Sequence, residues 1–211
     1  MKRLLPDTNI YGLLTVDQDL HQLHREFESR KTELKIYGFS IIRKELKKVP
    51  KKLINGVNVQ ASLLKTYSYF VTKEYEIEDQ LRSIADEYYR VYLSQGGSLI
   101  KEDIYNDLLI VACASVKDID LVVSEDNATL GSEMFKKAYS TVNLKKGIRQ
   151  PTFIKYKQFK ELLLGTAFSD PFIDKSNKFG IFLGLFNLLE GILFLFHRLS
   201  QEKLIYKYIV S

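Results

Sequence analysis

Three features of the 211-residue sequence point to a three-layer α/β fold with a mostly parallel central sheet flanked by helices. Short apolar runs recur and end in polar or acidic residues: KRLLPDTN at the start, LKIYGFS, IDLVVSEDN and TFIKY. Segments of helical period lie between them, which is the alternation that builds parallel sheets from strand-helix-strand units. The composition, 45% hydrophobic and 27% charged, is that of an ordinary globular chain with enough apolar material for a core.

The elements follow in order. KRLLPDTN reads as a buried strand stopped by Asp7, and YGLLTVDQDLHQLHREFESR shows helical spacing in its second half through Leu20, Leu23 and Phe27. LKIYGFS is a second strand. SIIRKELKKV reads as a helix opened by Ser40 as N-cap and closed before Pro50. NVQASLLKTYSYF and IEDQLRSIADEYYRVYL read as two more helices, the second ending at Gly96-Gly97. IYNDLLIVACASVK is a strongly apolar, central helix with Asp107 at its opening, where an acid suits the helix dipole. IDLVVSEDN is a strand ending in acids, TLGSEMFKKAYSTV a helix, and TFIKY a last short strand.

The net charge of +5 favours anionic partners only weakly, but the charge is unevenly spread. Residues 43–52, RKELKKVPKK, hold six basic side chains and one acid. By default such a run is a solvated helix face. Its placement around Glu45 favours contacts from Arg43, Lys44, Lys47 and Lys48 to an RNA phosphate backbone. The single cysteine, Cys113, excludes an internal disulfide framework and any cysteine-based zinc site, and its apolar setting marks it as a buried small side chain. His21 and His24 lack the context of a zinc motif and read as surface residues. Tyr67, Tyr88 and Tyr92 lie at helical spacing and read as core-edge residues rather than base-stacking ones. MKRLLPDTN lacks the apolar stretch of a secretory signal, so a cytoplasmic location is expected.

The acids carry the chemistry. In a parallel sheet, ligands bind beyond the carboxyl ends of the strands. Asp7 and the pair Glu125-Asp126 end strands there, while Glu45 lies one turn into the helix after the second strand. Carboxylates sharing one place repel unless a cation neutralises them, and hard divalent ions take oxygen ligands. Such a cluster points to metal-assisted attack of water on a phosphodiester.

Four strings then acquire a specific resemblance. LLPDTNIYG, SIIRKEL, NDLLIVACAS and LVVSEDN resemble, in order and rough spacing, the four motifs of PIN-domain nucleases, and PTFIKYKQFKEL is similar to the segment that closes many such domains. The resemblance covers residues 1 to about 165 and implies a PIN-like fold and a Mg²⁺- or Mn²⁺-dependent endoribonuclease, toxin-like or RNA-processing. Its products would bear 5′-phosphate and 3′-hydroxyl. Carried onto this sequence, the acidic set is Asp7, Glu45, Asp107 and Asp126. Asp7, Asp107 and Asp126 would be primary metal ligands and Glu45 a ligand or the base that positions water. Asn9 and Ser124 would orient carboxylates, with Thr8 in either role. Glu102, Asp103 and Glu125 are possible supplements to the metal set. The alternative is a PIN-fold scaffold that binds RNA or protein without turnover. RNA, an inhibitor protein and a second copy of the chain are the implied partners. Absence of G-x-x-x-x-G-K-[ST], G-x-G-x-x-G and G-x-S-x-G excludes the common nucleotide-binding and serine-hydrolase motifs.

The composition shifts near Gly165, so residues 1–165 are taken as the nuclease-like domain and residues 166–211 as a tail. Within the tail, residues 179–196 hold thirteen Ile, Leu or Phe with Glu190 as the only charge. A helix apolar nearly all round must be buried, here in a homodimer, on the domain itself, or in a bilayer. Gly180, Gly184, Asn187 and Gly191 form one small or polar stripe along it that would let another helix approach.

Overall fold

β1 (Lys2–Pro6) forms the centre of the sheet because its apolar residues are covered on both faces: Leu4 and Leu5 are fully buried. It pairs in parallel with β2 (Leu34–Phe39) on one side and β6 (Leu121–Val123) on the other. β5 (Lys73–Tyr75) and β7 (Thr152–Ile154) add the edges, giving the all-parallel order β5-β2-β1-β6-β7. A separate antiparallel hairpin joins β3 (Leu53–Ile54) to β4 (Val57–Asn58). The computed structural model describes residues 1–54 and 56–166, which form one compact unit.

Helices cover both faces of the sheet, completing the three layers. On one side lie α5 (Asp79–Ser94), α6 (Lys101–Val116) and α7 (Glu133–Lys146), packed on one another. The others, α1 (Thr8–Val16), α2 (Leu20–Ser29), α3 (Ser40–Lys48), α4 (Val59–Phe70) and α8 (Tyr156–Leu164), pack among themselves. α6 is the central helix: its stretch Leu108–Ser115 is buried throughout, including Cys113, as continuous apolarity demands. Burial pushes the Cys113 thiol up to about 12, so it stays protonated and inert. Tyr67, Tyr88 and Tyr92 are buried, and Tyr88 shares a polar network with Asn143 and Ser115.

Several sequence expectations are corrected. Helix extends through both halves of the segment after Asp7, as α1 and α2. Ser40 is the first residue of α3, not its cap; β2 runs straight into the helix, Phe39 takes the cap position, and the buried Ser40 hydroxyl has no hydrogen-bond partner among the described residues. α6 begins at Lys101, so its first-turn acids are Glu102 and Asp103 while Asp107 lies in the second turn. The dipole argument therefore applies to those two and not to Asp107.

Among the described residues no helix is long and apolar enough to cross a membrane. The apolar stretch 179–196, with its homodimer and bilayer expectations, lies outside the described residues.

Candidate active site

Parallel strands all present their carboxyl ends to one edge, and the segments that follow β1, β2 and β6 there bring together residues far apart in sequence. Asp7 leaves β1 at that edge and is 6% exposed. The sequence suggests no capping role for it, yet it caps α1: Oδ1 accepts from the Thr8 N–H at 2.6 Å. Oδ2 is held by the Asn9 amide at 2.7 Å and the Ser124 hydroxyl at 2.9 Å. Asn9 and Ser124 thus both donate to one Asp7 oxygen. Burial pushes the Asp7 carboxyl up to about 6; the Thr8 and Ser124 hydrogen bonds pull it down, and the charges of Glu45 and Asp126 push it further up.

Glu45 sits on the α3 turn that faces this edge. The Thr8 hydroxyl donates to one carboxylate oxygen, and the Asn106 amide on α6 donates to the other at 2.7 Å. Thr8 therefore serves Glu45 through its side chain and Asp7 through its backbone. Asn106 was not singled out by the sequence, and its partner stands 61 positions away.

Asp107 and Asp126 converge on the Thr129 hydroxyl, which lies 2.6 Å from Asp107 Oδ2 and within hydrogen-bonding reach of Asp126 Oδ2. One hydroxyl carries one proton and can satisfy only one of the two carboxylates. Burial pushes Asp107 up to about 7, with Asp7, Asp126 and Glu45 adding to the rise and Thr129 opposing it. Burial also acts on Asp126, but the Thr129 hydroxyl and a nest of N–H groups from Thr129, Ala128 and Leu130 outweigh it and hold its carboxyl low. The nest needs a tight loop, closed by the Gly131 N–H on the Asp126 carbonyl at 3.0 Å. A Cβ on Gly131 would come within 2.6 Å of that carbonyl.

The supplementary acids are placed elsewhere. Glu125 turns to α8 and accepts from the Tyr156 N–H at 2.7 Å, capping that helix. Glu102 and Asp103 are exposed on the first turn of α6 with no hydrogen bond to the four acids. Of the basic run, Lys44, Lys47, Lys48, Lys51 and Lys52 are exposed. Arg43 is not one of this group. Its Nε donates to Glu74 at 2.6 Å and its guanidinium lies over the Tyr67 ring, so the charge is already engaged. Tyr67 can lie there because Gly38 has no side chain; a Cβ would come within 2.0 Å of its hydroxyl.

A hard cation fits this donor set in chemistry. Two carboxylates share one proton-poor hydroxyl, and two carboxyls are raised by burial and mutual repulsion that a divalent ion relieves. Among the described residues no three Asp, Glu, His or Cys side chains form a ready-made cage. Mg²⁺ commonly takes one or two carboxylates and completes its shell with water and phosphate, so a cage is not required.

No family model matches the chain, and no curated protein matches it. Among solved structures it is similar to VapBC2 from Rickettsia felis bound to a DNA fragment from their promoter, with 14% identity, a TM-score of 0.46, and coverage of 72% of this chain and 98% of that one. DNA-bound VapBC from Salmonella typhimurium gives 15% identity and a TM-score of 0.46, covering 74% of this chain and 99% of that one. FitAB bound to an IR36 DNA fragment gives 13% identity and a TM-score of 0.46, covering 72% and 94%.

Proposed function

We propose that the chain is a Mg²⁺- or Mn²⁺-dependent endoribonuclease of the PIN type. The observation that carries this reading is the meeting of Asp7, Glu45, Asp107 and Asp126 at one sheet edge, each fixed by a hydroxyl, amide or N–H donor. Such preorganisation matters because reacting groups must be held in place before charge develops on the phosphoryl oxygens. When bound, the cation lowers the pKa of water and stabilises that charge. Asp107 and Asp126 would hold it from either side of Thr129, with Asp7 completing the set. Glu45, with both oxygens tethered, orients the attacking water through its remaining lone pairs. Lys44, Lys47 and Lys48 flank Glu45 and draw the phosphate backbone to it.

A mixed RNA pool incubated with the full chain tests the reading: cleavage that needs Mg²⁺ or Mn²⁺ and stops in EDTA supports it. The second reading is a scaffold of the same fold that binds RNA without cutting it. RNA that is bound but left intact across millimolar Mg²⁺ and Mn²⁺ would establish that reading instead.

A further inference from the structure

A cavity of about 470 Å³ opens between the end of α1, the start of α2, β4 and α4, away from the four acids. Val16, Leu20, Val57 and Val59 make its walls apolar, and Tyr69, whose ring also packs against His24 with centroids 4.7 Å apart, lines it with an aromatic ring. Val16 is 77% and Val57 55% exposed, so apolar surface is left facing solvent. The polar groups that line it are the hydroxyls of Ser62, Thr15 and Thr66, the last two with oxygens 2.9 Å apart, the His21 imidazole, and Lys65, whose ammonium stands over the Tyr69 ring. No acid lines it.

The cavity continues the lysine run. After Lys44, Lys47 and Lys48 on α3, the chain passes Lys51 and Lys52 and enters the hairpin whose second strand forms one wall. The Val59 N–H donates to the Lys52 carbonyl at 3.1 Å, and the Gln60 amide donates to the Val49 carbonyl at 2.9 Å, fixing the cavity against the end of the run. None of these five lysines makes an ion pair among the described residues. A path of unpaired positive charge therefore runs from Glu45 to an apolar, aromatic-lined slot.

We propose that this cavity is a nucleobase-binding exosite, taking one unstacked base of a single-stranded RNA whose backbone follows Lys44–Lys52. A nucleotide combines a flat apolar ring bearing edge donors and acceptors with an anionic phosphate. Apolar walls and Tyr69 suit the ring, the two threonine hydroxyls suit its edge, and Lys65 suits the phosphate. An apolar peptide would match the walls but leaves the cationic approach without a purpose. The exosite rests on the ribonuclease reading for its substrate, though its binding step needs no turnover.

The test measures binding of the full chain, in EDTA, to a short single-stranded RNA and to the same strand carrying abasic sites, by fluorescence anisotropy. Tyr69→Ala removes the stacking ring from an exposed position, and Ser62→Trp fills the cavity from the α4 side. Each is expected to weaken binding of the intact RNA about tenfold and to leave abasic RNA unchanged, because only the base enters the cavity. Wild-type affinity for intact RNA in both variants, or an equal loss on both strands, would overturn the exosite. If those variants bind normally while metal-dependent cleavage persists, the exosite alone fails and the nuclease reading stands. If base-dependent binding is lost in the variants yet no cleavage is found, the exosite stands and only the nuclease reading fails.

Discussion

The Asn106 side chain donates to Glu45 at 2.7 Å, a bond that ties α6 to α3 across the mouth of the acidic edge. Because Thr8 holds the other oxygen, Glu45 has little freedom to turn. Asn106→Leu keeps the volume but removes the donor. The expected result is a fall in kcat of roughly tenfold or more, with KM little changed, as for other partners that orient functional carboxylates. Asn106 is exposed, so the melting temperature should hardly move. Unchanged kcat would show that the tether is dispensable.

The raised carboxyls give the metal-free protein a defined pH response. In the unfolded chain Asp ionises near its ordinary value of 3.8, whereas Asp7 and Asp107 ionise at about 6 and about 7 in the fold. Between those values the unfolded chain gives up protons that the folded one retains, so stability is full at the acid end and is lost as pH rises towards 7. Asp17, Asp86 and Asp126 have lowered values and act in the opposite sense, but only below 3.8. In EDTA, the melting temperature contributed by this pair should therefore fall by several degrees from pH 4.5 to 7.5. Millimolar Mn²⁺ should reduce that slope by stabilising the ionised pair. A melting temperature that climbs over this range in EDTA, or a slope indifferent to metal, would contradict the assignment.

The lysines and Arg43 should separate in RNA binding. Each of Lys44→Ala, Lys47→Ala and Lys48→Ala should weaken affinity and reduce the salt dependence by about 0.7 on a single strand. Arg43→Ala should leave the salt slope alone, because its guanidinium is committed to Glu74 and Tyr67. It should instead lower stability by about 1 kcal/mol or less, since the pair it breaks is partly exposed and Glu74 keeps the Tyr67 hydroxyl. Salt titrations and thermal melts of the four variants read both effects.

The buried network around Asn143 should be a point of high sensitivity. Its amide oxygen accepts from the Tyr88 hydroxyl at 2.5 Å, and its nitrogen donates to Ser115 and Gln150 at 3.1 Å. Asn143→Leu strands these groups in the core between α5, α6 and α7 at a cost of about 3 kcal/mol. Chemical denaturation measures it; a loss below about 1 kcal/mol would mean that water replaces the amide.

How much was legible depended on the kind of signal. β1 and β6 were visible because a strand covered on both faces must be apolar, as LLP and LVV are. β5 was not, because this edge strand is three residues, Lys73, Glu74 and Tyr75, with two charges. The β3–β4 hairpin is two residues on each side, too short for a period. In the candidate site, the four acids were legible from their places at strand ends and helix turns. Asn106 and Thr129 were not: each acts on a carboxylate brought to it by folding, from 61 and 22 positions away. The partner of Arg43 was hidden for the same reason, since nothing local to RKELKK shows that Glu74 will lie beside its first residue.

Mapping the ends of RNA produced by the wild-type chain and by Asp7→Asn asks whether Asp7 belongs to a phosphodiester-cleaving centre. The substitution keeps volume and the Thr8 cap acceptor but removes the charge, so the fold should persist. Mn²⁺- or Mg²⁺-dependent 5′-phosphate ends are expected with wild-type protein and none above background with a folded Asp7→Asn. The same ends at the same rate from both proteins, or none from wild type at any metal concentration, would contradict that role for Asp7.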